Sequence, residues 1–223
     1  MRTGRTRHTS EMSEVWVDAG DGMAALGEVA VWGFDLAVWG ECTQAATEAE
    51  ALTRYRRRTG RADLRVVQRI TRPAQVFDRD LAPASDDEVE ATIAVLGRSR
   101  ARTLALLRSV PPELLDAADP AVRQPTWMPW RTPAAIGRHI ADTESRGYPR
   151  RLGLPVRDPL PGLEDELAAS AQHIERVLRA AARDRIDDYK GETWTTVKLL
   201  RRLAWHERVE LVFLRRRVAR LMP

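Results

Sequence analysis

Apolar residues recur at spacings of three and four residues, or sums of these, along most of the chain after residue 85. In the first such segment the repeating residues are Val89, Ile93, Leu96, Leu104 and Leu107. Residues at these spacings share one face of an α-helix, so the pattern predicts an amphipathic helix. Ser85 and Glu88 match a capping box at its start, and Pro111-Pro112 marks its end.

Three more amphipathic helices follow in the same region. The second begins at Thr132, with Pro133 in the tolerated first position. Its stripe consists of Ile136, His139, Ile140, Thr143 and Gly147. The stripe of the third consists of Leu163, Leu167, Ala171, Ile174 and Leu178. The fourth begins after Gly191-Glu192-Thr193 and runs towards Leu221. Four such helices with no strand between them predict a helical bundle over residues 85–223.

The pattern before residue 85 is that of a small α+β unit. Clusters of β-forming residues between turn residues predict strands at Glu14–Val17, Asp35–Trp39 and Leu64–Ile70. Ala46–Thr59 predicts a helix, with Gly60 at the position of a C-terminal cap. The predicted fold class is therefore mainly α. A four-helix bundle is preceded by a small α+β domain at residues 14–84, and Asp78–Ala84 is the hinge between them.

The composition is that of a globular protein. The chain has 223 residues, of which 43% are hydrophobic and 30% charged, and this is enough for two domains. Residues 1–13 are polar and basic, and they predict a disordered tail. The most apolar stretch, Met23–Gly40, contains Glu28 and Asp35, so we expect no membrane span. No apolar signal run follows the basic start, which predicts a cytoplasmic protein. The single Cys42 excludes an internal disulfide and a cysteine-only metal site.

The formal net charge is +4, and arginine dominates the basic residues. The arginines alternate with acidic residues along the predicted helices. This arrangement favours solvated helix faces over a nucleic-acid surface, so we expect no nucleic-acid partner. His173 lies off the stripe of the third helix and is expected to be solvated as well.

The fourth helix places ionisable groups where apolar residues are expected. Its apolar stripe consists of Leu199, Leu203, Leu214 and Leu221. His206 and Glu210 fall close to the centre of this stripe. A buried carboxylate without a partner costs on the order of several kcal/mol, so Glu210 needs a cation, a hydrogen-bond donor or a metal. His206 precedes it by one turn, and this spacing lets one helix offer two ligands to one ion.

His139 on the second helix can supply a third ligand if the second and fourth helices are neighbours. Two imidazoles and a carboxylate suit zinc, nickel, iron or manganese, with positions left for water or substrate. Two alternatives stay open. Arg100 can form a buried ion pair with Glu210, leaving His206 as a hydrogen-bonded core histidine. Glu207 can be the base of a zinc-protease-like H-E-x-x-H helix, although that motif needs a histidine where Glu210 stands.

Two segments resemble a known family of metal-binding bundles. Trp130–Ala141 resembles the second helix of DinB-like proteins, whose histidine, here His139, is a metal ligand. Trp194–Glu207 resembles their fourth helix, which usually carries two ligand histidines four residues apart. His206 matches the first of these and Glu210 stands at the second, so the chain departs from the family there. The resemblance implies an up-down-down-up bundle, frequent homodimers and a divalent metal, with zinc or nickel foremost.

The DinB-like resemblance implies relatives that include thiol-dependent isomerases and thiol transferases, so a low-molecular-weight thiol is a further candidate cofactor. The run Trp39-Gly40-Glu41-Cys42-Thr43 and the helix after it resemble the strand, turn and helix of HicB-like domains. The first hypothesis is a metal-dependent enzyme that performs thiol transfer, isomerisation or hydrolysis on a small molecule. The alternative is a non-enzymatic binding or regulatory protein with a vestigial metal site and a HicB-like interaction domain.

Overall fold

The architecture is mainly helical, with a small sheet region near the N-terminus. The computed structural model describes residues 12–20, 29–71, 76–118 and 129–222. The chain divides into two compact units, residues 1–77 and residues 78–223. The boundary lies earlier than the one predicted after Ala84, so the segment Asp78–Ala84 belongs to the second unit. Among the described residues, every helix is too short or too polar to cross a membrane.

The first unit contains a four-stranded sheet in the order β3-β2-β1-β4. The strands are β1 (Ser13–Asp18), β2 (Val29–Trp32), β3 (Cys42–Ala45) and β4 (Leu64–Ile70). β1 pairs antiparallel with β2 and parallel with β4, and β2 pairs antiparallel with β3. Helix α1 (Glu48–Thr59) packs on the sheet through Ala51 and Tyr55, which join a core of strand valines. Residues 1–11 of the predicted tail lie outside the described residues.

Three elements of this unit confirm the sequence-based expectation, and one corrects it. β1, α1 and β4 lie where they were predicted, and Gly60 caps α1 with a φ of 72°. The strand predicted at Asp35–Trp39 is wrong, because Leu36–Val38 forms a single 3₁₀ turn. The Asp35 carboxylate accepts a hydrogen bond from the backbone N–H of Ala37, which favours a turn over an extended strand. β2 and β3 flank this turn and were not predicted.

In its described residues, the second unit, which we call the helical unit, contains four longer helices at the four predicted positions. These are α3 (Asp86–Arg108), α5 (Pro133–Asp142), α7 (Leu163–Ala180) and α8 (Thr196–Leu221). Three short helices are α2 (Asp78–Leu81), α4 (Pro112–Leu115) and α6 (Tyr148–Arg151). The capping box of Ser85 and Glu88 is confirmed, and so is Pro133 in the first turn of α5 behind the Thr132 cap.

Two features of the helical unit differ from the prediction. A hairpin of β5 (Ile186–Tyr189) and β6 (Glu192–Thr195) precedes α8, where no strand was expected. Its turn is Lys190-Gly191, and both residues have positive φ, as a tight two-residue hairpin requires. The second predicted helix also departs from a regular α-helix, since a π-helical turn, Thr143–Gly147, lies between α5 and α6. Pro149 lacks a backbone N–H and so cannot make the regular helical hydrogen bond, and just before it the N–H of Tyr148 donates to the carbonyl oxygen of Thr143.

The core of the helical unit lies between its four longer helices. It contains residues from all of them, including Leu107, Ile136, Ile140, Leu167 and Leu214. Burying each such side chain contributes roughly 1.5–3 kcal/mol. The short helix α2 is held to α8 by a fully buried pair, in which the guanidinium of Arg201 donates to both carboxylate oxygens of Asp80 at 2.7 and 2.6 Å. α5 packs against both α7 and α8, and the face of α5 that carries His139 lies beside α8.

Candidate metal centre

His139, His206 and Glu210 come together between α5 and α8. His139 is in the last turn of α5, and the other two residues lie one turn apart on α8. The two histidine Nε2 atoms are 3.1 Å apart, and Glu210 Oε1 is 3.8 Å from each of them. One ligand atom from each residue thus falls in a cluster whose members are within 4.8 Å of one another.

These separations are compatible with a single ion. Zinc–nitrogen and zinc–oxygen bonds are about 2.0–2.2 Å long, so two ligands of one ion can be at most about 4.4 Å apart. All three measured distances fall below that bound. The 3.1 Å separation also suits a hydrogen bond in which one neutral imidazole donates to the other. The geometry therefore permits a metal and does not require one.

Aromatic rings hold both imidazoles in place. The indole of Trp130 stacks on His139, with ring centroids 3.5 Å apart and planes inclined by 9°. Tyr148 and Trp205 contact the His206 ring with centroids 5.8 and 6.4 Å away. The rotamers of the ligand candidates are thus restricted before any ion binds. This preorganisation removes part of the entropic cost that a flexible site would pay.

Burial makes all three groups neutral at neutral pH. It lowers the pKa of His139 to about 4, against a small opposing effect of Asp142. Burial, and then the charges of His139 and Arg100, hold the pKa of His206 well below its usual value. Burial and the nearby Glu207 raise the pKa of Glu210 to about 8. The imidazole lone pairs are therefore available to a metal, while Glu210 must lose a proton to bind one.

Two buried polar atoms of the cluster lack a hydrogen bond among the described residues. They are Glu210 Oε2 and His206 Nδ1. A buried carboxylate oxygen without a donor is costly, and a cation in front of the carboxylate would relieve that cost. The Nδ1 atom has none of the carbonyl or carboxylate partners that commonly orient a ligating imidazole. The aromatic contacts of His206 take over that orienting role.

The predicted alternative pair between Arg100 and Glu210 does not form. Arg100 instead lies in a separate buried cluster with Glu144 and Glu207. Its guanidinium is 2.5 Å from Glu144 Oε2 and 3.2 Å from Glu207 Oε1, and it also donates to the carbonyl oxygen of Leu167. Glu207 is therefore held by an arginine, which does not suit the role of a free catalytic base in an H-E-x-x-H helix.

Sequence reasoning missed Glu144 and misplaced His173. Glu144 is fully buried because it sits in the π-helical turn directly after Thr143, a residue of the predicted apolar stripe. Burial raises its pKa well above the usual value, Arg100 opposes this, and contact with Glu207 adds to it. His173 was expected in solvent, but it is buried, and its Nε2 lies 3.1 Å from the carbonyl oxygen of Pro155. The loop after α6 covers it.

A surface pocket gives access to the candidate centre from one side. It has a volume of about 550 Å³, and Trp130, His139, Arg138 and Arg146 are among its walls. The His139 side chain is 20% exposed, whereas those of His206 and Glu210 are each 6% exposed. A molecule in the pocket would therefore approach the cluster from the His139 side.

Comparison with known proteins identified no relative of this chain. No protein-family model, curated protein or solved structure matches the chain. The DinB-like and HicB-like resemblances stay predictions from the sequence, and the candidate centre rests on its own geometry.

Proposed function

We propose that the helical unit is a DinB-like four-helix bundle that binds a divalent metal and acts on a small molecule. The observation that carries this is the convergence of His139, His206 and Glu210 from two helices at a buried point. The same three positions are the ones at which the DinB-like resemblance expects ligands. The pocket beside His139 supplies the space in which a substrate can lie.

The donor set favours zinc or nickel. Two neutral imidazoles and one carboxylate are a common catalytic combination for such ions, with at least one position left for water or substrate. A metal held there lowers the pKa of a bound water or thiol, or polarises a carbonyl group. The chemistry that fits is thiol transfer, isomerisation or hydrolysis, with a low-molecular-weight thiol as the candidate second cofactor. Trp130 and the aromatic contacts of His206 keep the two imidazoles in a fixed orientation.

Removing an imidazole tests the proposal. Titration of the metal-free protein with Zn²⁺ should show one strong site, and His206→Ala should weaken it by more than about 100-fold, since even groups behind the ligands commonly contribute 10–100-fold. His173→Ala is the matched control, because His173 is also buried but lies on α7 away from the cluster. Equal zinc affinity in the two variants would reject the centre and leave the binding or regulatory alternative.

Metal affinity should rise with pH up to about pH 8. Glu210 has a raised pKa of about 8, so below that pH an ion must displace its proton. His139 has a pKa of about 4 and His206 is also lowered, so neither adds a proton to the exchange above pH 5. The logarithm of the Ni²⁺ association constant should thus increase by about one per pH unit between pH 5.5 and 7.5 and then level off. Calorimetry in buffers of different ionisation enthalpy measures the released proton directly. A slope of zero or two would contradict this assignment.

A further inference from the structure

A second cleft in the helical unit is lined mainly by cationic side chains. It lies between the π-helical turn with α6 on one side and the β5–β6 hairpin on the other, and it has a volume of about 470 Å³. Its cationic walls are Arg146, Arg150, Arg151 and Lys190. Its acidic walls are Asp142 and Glu192. The residues that line the cleft therefore carry a net positive charge, with four cations against two carboxylates.

The two acidic walls pair with only two of the four cations. Asp142 is 2.6 Å from Arg146, which also reaches Glu166 at 2.9 Å, and Glu192 pairs with Arg151. Arg150 and Lys190 are exposed, and neither forms an ion pair with any residue that the structure describes. Their charges are available to a ligand.

Glu192 is shared among several cations. It is 3.1 Å from Arg151, 3.0 Å from Lys198 and 3.9 Å from Arg202. The Lys198 and Arg202 side chains are only 1% and 7% exposed, so this positive charge cannot be dispersed into water. Burial, and then the adjacent Arg202, lower the pKa of Lys198 to about 8, while Glu192 opposes this effect. Three cations thus lie close to one carboxylate, and an anion in the cleft would balance part of their charge.

Two of the cationic side chains lie against aromatic rings. The guanidinium of Arg151 lies over the rings of Trp194, Tyr148 and Tyr189, at 4.9, 5.6 and 5.9 Å from their centroids. Lys190 occupies the hairpin turn with a backbone φ of 58°, and its ammonium group is 5.5 Å from the centroid of the Tyr189 ring. Preorganised donors lose little entropy on binding, and an arginine presents a planar fork that matches an oxyanion.

We propose that this cleft binds the oxyanion group, a phosphate or a carboxylate, of a small acidic molecule. Asp142 and Arg146 line both this cleft and the pocket beside His139. An acid anchored in the cleft therefore extends towards the candidate metal centre. That the acid is the substrate rests on the proposed function, whereas anion binding in the cleft does not.

The test uses inorganic phosphate and succinate as separate probes of the full-length protein. At pH 7 and low ionic strength, calorimetry should detect one of them with a Kd of about 1 mM or tighter. The double variant Arg150→Ser, Lys190→Asn should bind it at least tenfold more weakly, and added salt should act in the same direction. Asparagine tolerates positive φ, so the turn is kept. The α3 control, Arg98→Ser with Arg102→Ser, likewise removes two exposed cations and should bind as the wild type does.

The outcomes separate the two proposals. Preference for phosphate or for succinate identifies which oxyanion the cleft takes. The double variant should keep wild-type zinc affinity, and His206→Ala should keep wild-type anion affinity. The inference is overturned if neither probe binds at about 10 mM, or if the cleft variant and the two-arginine α3 control bind equally well. If His206→Ala loses zinc binding but keeps anion binding, the two sites are independent. The anion-binding inference then stands whether or not the metal centre is confirmed.

Discussion

Replacing Arg100 with methionine is expected to lower the free energy of unfolding by about 3–5 kcal/mol. Arg100 is 4% exposed and stands between two carboxylates, Glu144 and Glu207, that are both fully buried. Methionine fills a similar volume but leaves those carboxylates without a cation in a region of low polarity. Chemical denaturation followed by circular dichroism measures the loss. It is the largest single-residue stability effect that we expect in the helical unit.

Two comparison variants isolate the cause of that loss. Arg108→Met removes an arginine that pairs with Glu164 on the surface, and it should change the stability little, because solvent screens such pairs. Adding Glu144→Gln and Glu207→Gln to Arg100→Met should recover most of the stability, since no buried charge then stays uncompensated. A loss at Arg100 no larger than that at Arg108, or no recovery in the triple variant, would show that the cluster does not depend on buried charge compensation.

The sequence predicted those parts of the fold that depend on local pattern. The stripes of α3, α5, α7 and α8 follow the helical period, and the caps at Ser85, Thr132 and Gly60 use side chains or glycine in local hydrogen bonding. Where tertiary contacts decide, the prediction was wrong. The four-residue strands β5 and β6 are too short to show a period, and the hairpin turn Lys190-Gly191 is not a strong turn signal because lysine seldom adopts positive φ.

The candidate site was predictable for a related reason. His206 and Glu210 interrupt an apolar stripe on α8, so their inward orientation follows from the helical period. The partner of Arg100 was not predictable in this way. Glu207 and Glu210 are three residues apart and so differ by only about 60° around the axis of α8. An apolar stripe alone does not fix the rotation of α8 relative to α3 closely enough to choose between them. Glu144 depends on the π-helical turn, whose extra residue shifts every later side chain around the helix axis.

The identity of residue 210 should control both the strength and the pH dependence of metal binding. Glu210→Leu removes one ligand and should weaken Zn²⁺ binding by more than about 100-fold. The same change should leave the fold intact or stabilise it, because it replaces a buried carboxyl group whose second oxygen has no hydrogen-bond partner among the described residues. Bound zinc and thermal melts of both metal-free proteins measure the two effects. Equal zinc content in the wild type and the leucine variant would reject Glu210 as a ligand.

Glu210→His should keep or strengthen zinc binding and remove most of its pH dependence. The wild type must release the Glu210 proton below its pKa of about 8, so its affinity falls as the solution becomes more acidic. A third buried imidazole is expected to be neutral at pH 6, as His139 is with its pKa of about 4. The zinc affinity of the histidine variant should therefore be nearly constant from pH 6 to 8, whereas that of the wild type should fall by about 50-fold from pH 8 to pH 6, as the ionised fraction of Glu210 falls from about one half to about one hundredth. Glu210→Gln is the isosteric control, because it keeps the shape of the side chain without an anionic ligand. If the histidine variant retains the wild-type slope, the titrating proton belongs to another group, and the carboxylate of Glu210 does not bind the metal.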